Sequence, residues 1–344
     1  MTYLYDRNWT RQDLERYVGR MDQLAGIKLV EAADGMERGS RILQVWTGTG
    51  LFFHILADRG LDISTCRYRG IPLAWESSVG EAHPGYFNPE GMEWLRTFQG
   101  GLFITAGLDQ FGAPSNDGGE ALGLHGRATS LPARFVSHRA YWAGNDYRLE
   151  VTGEVRQTRA LGENLVLRRR VSTQLGSNQI RLADELSNEG FAPHPYMMLY
   201  HFNLGFPLLG PNSRLSLDSE QTIARDEHAQ EGLDRWKDLQ APTADFQAQV
   251  FRHVPRADQD GTVSVAVENP HLGVGLRLTY DRKELPYLFQ WKMMGEGTYV
   301  LGIEPATSGT MEGRADARKQ GLLSHLSPGE SCSFALTIEV VEIS

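Results

Sequence analysis

Several chemistries are excluded by what this sequence does not contain. Only two cysteines, Cys66 and Cys332, occur in 344 residues, far apart and without CxxC spacing. Neither a zinc site nor a disulfide framework can therefore be read from them. The ten histidines form no HxH or HExxH pattern, and the loop from Asp109 to Asp117 lacks the regular oxygen ligands and terminal glutamate of a calcium-binding hand. No metal site is expected. A GxGxxG fingerprint, a P-loop and a GxSxG elbow are missing as well, and no cofactor is expected.

Positive charge is also scarce. With 34 Lys and Arg against 43 Asp and Glu, the formal net charge is -9, so there is no basic footprint for nucleic acid or an anionic membrane surface. A small solute is the expected partner, bound by a monomer or homodimer. No stretch approaches the ~20 apolar residues of a membrane span, and the first residues lack a charged segment followed by an apolar one. Cytoplasmic residence is the expectation. Hydrophobic residues at 41% and charged ones at 22% suit a soluble enzyme with a sizeable core. Internal repeats, low-complexity tracts and Pro/Ser linkers are lacking too, which predicts an N-terminal helical extension over 1–30 and a single large domain over 31–344.

What is present is mostly strand pattern. The early helix signal is Thr10 to Asp13, with capping-box spacing, followed by Leu14, Tyr17, Val18 and Met21 on one face; this predicts a helix over 10–24. Beyond Gly26, short apolar runs punctuated by Gly48, Gly50, Gly60 and Gly70 read as consecutive hairpins. Leu165, Leu167, Arg169, Val171 and Thr173 alternate up to Gly176-Ser177-Asn178, and Ile180, Leu182, Asp184 and Leu186 return, predicting a long antiparallel hairpin. Further strands are expected over 263–267, 274–280, 287–292, 299–303 and 334–341. The polar stretch 214–248 reads as a surface excursion. Many strands with little helix predict an all-β protein, a large antiparallel sandwich.

Three segments set a proton-handling residue where a sheet protein normally packs apolar side chains. In Leu199-Tyr200-His201-Phe202-Asn203, alternation puts His201 beside Asn203, opposite Tyr200 and Phe202. Read singly, His201 also fits a core histidine bonded to a backbone carbonyl. Glu304 precedes Pro305, which predicts that its strand stops there and that the carboxyl sits at a strand end, either solvated or poised as a base. His125 lies between Gly123 and Gly126, a spacing that allows close backbone approach to a ligand. Arg59 and Arg96 could donate to sugar hydroxyls or form ordinary surface pairs. Trp94, Trp291 and Tyr200 could offer stacking faces or belong to the core.

In their order and approximate spacing, His125-Gly126, His201-Phe202-Asn203-Leu204 and Glu304-Pro305 resemble the aldose 1-epimerase (galactose mutarotase-like) superfamily, over most of the chain from about residue 40. The segments 58–63 and 290–294 resemble an uncharacterised bacterial branch of it. Gln99-Gly100-Gly101 is similar to the Arg-Gly-Gly stretch of the hexose-6-phosphate 1-epimerase branch, with glutamine replacing the arginine, which weakens a sugar-phosphate reading. The resemblance implies a β-supersandwich and cofactor-free ring opening of a free monosaccharide or close derivative. Glu304 would act as base and His201 as acid; His125 would hydrogen-bond the sugar, with Arg59, Arg96, Asp109, Gln290 and Lys292 as binding candidates. The same acid/base pair would also serve a keto-sugar epimerase, isomerase or lyase, and a non-catalytic carbohydrate-binding protein would share the fold. A glycoside hydrolase, with Asp184 or Glu185 as second carboxylate, is less attractive.

Overall fold

Period-two burial organises the chain. In the strand Gln179–Asn188, Ile180, Leu182, Asp184 and Leu186 are buried while Arg181, Ala183 and Glu185 face solvent. It pairs antiparallel with Asn164–Gln174 as the alternation predicts, Leu167 opposite Leu186. The computed structural model describes residues 2–343. Among them stand two large antiparallel sheets, one of eight strands and one of eleven. Their facing sides share one core, in which Leu149, Leu167, Leu182 and Leu336 of the first meet Ile63, Phe103, Phe202 and Ile303 of the second. Each such side chain stabilises the fold by roughly 1.5–3 kcal/mol when fully buried.

Two central strands of the eleven-stranded sheet position the site. Leu199–Gly205 lies between Phe103–Ala106 and Thr298–Ala306 and is buried on both faces. Tyr200, Phe202 and Leu204 point into the core between the sheets, so His201 and Asn203 point out of the opposite face. Loop segments cover that outer face.

Three sequence expectations are corrected. The N-terminal helix spans only Arg11–Glu15, with a separate 3-10 turn at Met21–Gln23, although the Thr10–Asp13 capping box forms. Leu14 alone of the helix is buried and Tyr17 is 73% exposed, so no apolar face exists to carry the helix further. The strand Thr298–Ala306 runs through Pro305 instead of ending before it. On the side of Leu199–Gly205 the ladder skips from Ala306 to Ile303, so the missing proline N–H interrupts no pairing there. Within 214–248, Arg214–Leu217 and Ser219–Ala224 are sheet strands, and only 225–248 forms the excursion, which joins Ser219–Ala224 to its neighbour Gln249–Pro255. Among the described residues no helix is long and apolar enough to cross a membrane.

Candidate active site

The register that pairs Leu199 with Ala306 and Phe202 with Ile303 sets His201 directly across from Glu304. Because the two strands are antiparallel neighbours, both side chains leave the same face. His201 Nε2 lies 3.2 Å from Glu304 Oε1. The ring N–H is nevertheless not aimed at the carboxyl: neither Glu304 oxygen has a hydrogen-bond partner among the described residues, nor has His201 Nδ1. Glu304 folds back over Gly302, where a Cβ would lie 2.6 Å from Oε1, so any larger residue at 302 would displace the carboxyl.

Both groups are almost sealed, Glu304 at 1% and His201 at 4% exposure. Burial therefore disfavours charge on each. Desolvation pushes the Glu304 carboxyl up to about 8, opposed by the charge of Arg225. It holds the His201 imidazole well below its ordinary value, and nearby His125 adds to the effect. Near neutral pH the two shifts together leave the pair a single titratable proton, carried by Glu304.

His125 is brought to the same place. Its ring centroid is 5.6 Å from that of His201, at nearly a right angle. The backbone holds it in the left-handed region, φ 55°, and His125 N donates to Gly112 O at 3.0 Å. Gly126 follows because a Cβ there would lie 2.4 Å from Gln110 O. The glycine thus serves backbone packing beneath the histidine, not direct approach to a ligand. Nδ1 faces the Gly112 N–H at 3.4 Å as acceptor, which leaves Nε2 to carry the ring proton. Desolvation, reinforced by Arg225, lowers His125 to about 4 and keeps it neutral.

These three residues line one cavity of about 570 Å³. Its walls carry four aromatic side chains, Trp75, Trp94, Phe98 and Trp291, with Trp94 stacked on Phe98 at 4.5 Å between centroids. Trp94 and Trp291 were candidate stacking faces and do line the cavity, whereas Tyr200 lies in the core. Other polar lining residues are Ser77, Ser78, Thr298 and the Arg225–Asp226 pair at the start of the excursion.

The remaining sequence candidates do not line this cavity. Arg59 is buried and donates to the carbonyls of Thr129, Ala82 and Thr97. Arg96 is exposed and pairs with Glu93. Asp109 accepts from Arg314, at 2.7 Å, and from Gln157. Gln290 bonds His253 and the Trp236 carbonyl, and Lys292 donates to the Arg235 carbonyl, so both tie down the excursion. Arg225, Trp75 and Phe98 escaped sequence reasoning; all three lie on or beside connecting segments, where no strand alternation marks an inward face. Among the described residues no three His, Cys, Asp or Glu side chains converge as metal ligands would.

A family model described as a domain of unknown function, DUF4432, matches residues 37–340. The solved structure of a candidate aldose 1-epimerase from Klebsiella pneumoniae is similar over 98% of this chain and 91% of that one, at 28% identity and a TM-score of 0.89. A galactose mutarotase-like protein from Clostridium acetobutylicum aligns over 93% of this chain and 100% of its own, at 14% identity and a TM-score of 0.65. A galactose 1-epimerase from Lactobacillus acidophilus does so over the same shares at 12% identity and a TM-score of 0.61. The last two likenesses are of fold alone. No curated protein matches the chain.

Proposed function

For this chain, which belongs to the DUF4432 family and has the galactose mutarotase-like fold, we propose aldose 1-epimerase-like catalysis on a reducing sugar. The observation that carries the proposal is the cross-strand pair His201–Glu304, buried, 3.2 Å apart and otherwise unpartnered at the end of an aromatic cavity. Two buried polar groups without partners destabilise a fold, and a bound ligand that completes their hydrogen bonding accounts for them.

Opening a cyclic hemiacetal requires removal of the proton from the anomeric hydroxyl, formation of the carbonyl and cleavage of the bond from C1 to the ring oxygen, which takes up a proton. One group must be basic and one acidic at the same moment. A pair holding one proton meets that demand. Sugar hydroxyls donating to the two Glu304 oxygens favour the carboxylate, because hydrogen bonds to the charged form lower its pKa. Binding thereby transfers the proton from Glu304 to His201. Glu304 then takes the anomeric proton, and His201 delivers its own to the ring oxygen. Rotation about the C1–C2 bond precedes closure on the other face, in which the two residues exchange roles and recover their starting state. His125, neutral and with Nε2–H free, supplies a further donor to the ring oxygen or a neighbouring hydroxyl.

NMR exchange between anomers, measured across a panel of reducing sugars, tests the proposal. Catalysis should appear on at least one sugar, and Glu304→Gln should lower it by about 100-fold or more, as loss of a general base does. Exchange at the uncatalysed rate on every sugar would defeat it. Mutarotation leaves every C–H bond intact, so deuterium from solvent appearing on a sugar carbon would instead assign the pair to a keto-sugar reaction.

A further inference from the structure

The cavity is larger and more apolar than an unmodified monosaccharide needs. At the ~30 Å³ that one liquid water occupies, 570 Å³ corresponds to about nineteen water-sized atoms, against about a dozen heavy atoms in a hexose. The wall also includes the aliphatic side chains of Val79, Met92, Leu95 and Leu124. Met92 and Leu95, at the start of and within the 3-10 turn Glu93–Thr97, remain 54% and 46% exposed at the mouth. Apolar side chains gathered at a pocket mouth mark contact with an apolar group. Charge argues the same way. Arg225, the cation on the wall, donates to Glu312 at 2.8 Å and stands next to Asp226, so its charge is balanced by two neighbouring carboxylates and a phosphate or carboxylate is disfavoured there.

Resting on the reading of this cavity as a reducing-sugar site, we propose that its substrate is an uncharged sugar with a free anomeric hydroxyl and an apolar substituent elsewhere on the ring, seated against Met92 and Leu95. The ring carbon bearing the hydroxyl meets Glu304 and His201. The substituent fills the outer half of the cavity and leaves the mouth only partly open to water.

Binding of D-glucose and of its 2-, 3-, 4- and 6-O-benzyl ethers to the native protein, followed by the fluorescence of the cavity tryptophans, tests the inference without reference to turnover. At least one ether should bind about tenfold or more tightly than glucose, consistent with burial of one ring-sized apolar group. That advantage should shrink several-fold in the Met92→Ser/Leu95→Ser protein, whose half-exposed substitutions leave the unfolding midpoint near native. Equal or weaker binding of all four ethers would overturn the proposal, as would an advantage untouched by the double substitution. Tighter ether binding with no anomer exchange on any sugar would sink the epimerase reading and leave this one standing.

Discussion

Tyr200 and His201 are consecutive residues on one strand, yet they enter opposite kinds of buried polar environment. The Tyr200 hydroxyl donates to Asp184 at 2.7 Å within a network sealed between the sheets. There Arg169 holds Asp184 through two nitrogens, at 2.9 and 2.6 Å, and reaches Asp62 and the Gly60 carbonyl, while Thr105 bonds Asp62 twice. Every charged group there is paired. His201, on the other face, approaches a glutamate with which it makes no hydrogen bond, and that glutamate has no partner at all among the described residues. Complete hydrogen bonding in a buried network is what makes it an anchor, whereas incomplete bonding is tolerated where a ligand completes it. Burial of charge alone does not separate a structural cluster from a chemical one; satisfaction does.

The comparison is tested most severely by substituting one residue in each place. Glu304→Gln should cost about 100-fold or more in anomer exchange and should not destabilise the fold. The sign follows from its pKa: Glu304 is raised from 4.5 to about 8, so between those pH values the folded chain keeps a proton that the unfolded chain has lost. The native protein therefore loses stability as pH rises through that window, at up to ~1.4 kcal/mol per unit, and the glutamine variant does not. Unfolding midpoints of the two proteins should diverge from pH 5 to pH 8, the variant being the more stable. A variant that unfolds earlier at pH 8 would place Glu304 with the anchors.

Asp184→Ala should do the reverse. It leaves Arg169 buried with one carboxylate fewer, which should cost roughly 3–5 kcal/mol in denaturant unfolding. The fraction that remains folded should retain most of its activity per molecule. A third check is the pH profile of kcat/KM, which reports the unliganded pair. Activity should fall about tenfold per unit above an alkaline limit near 8, as Glu304 loses the shared proton, and fall again at acid pH below 6.5, as His201 gains a second one. A flat profile between pH 5 and 9 would deny the pair its single proton. The smallest effect belongs to Arg96→Ala. Its exposed pairing with Glu93 should contribute under ~1 kcal/mol, and anomer exchange should change less than twofold.

Fold and site were legible to different depths. The hairpin Asn164–Gln174 and Gln179–Asn188 could be read directly, because one face meets the core and the other meets water. Leu199–Gly205 is buried on both faces, so its alternation of apolar and polar residues divided two buried environments, and the sequence alone left His201 open as a core histidine. Glu304 was recognised with the wrong local geometry: a central strand passes through Pro305, since an irregular ladder there needs no N–H. The Thr10–Asp13 cap was legible, but a cap begins a helix and cannot supply the buried face that continues it. Arg59, Gln290 and Lys292 have the chemistry of sugar-binding groups, and the fold uses that chemistry on backbone carbonyls instead. Arg225 was missed because its position depends on how a long connection folds across the sheet.

That connection has a consequence beyond the geometry of this one molecule. Residues 225–248 leave and rejoin adjacent strands and carry Arg225 and Asp226 into the wall; beside the buried Leu239, they are fastened through several of their own carbonyls, such as those of Arg235, Trp236 and Gln240. Carbonyl fastening is indifferent to side-chain identity, and each doubling of such a loop costs only about 0.6 kcal/mol. Descendants of this chain can therefore exchange, lengthen or trim much of the segment and so reshape the cavity wall, while the strands that carry His201 and Glu304 stay unaltered.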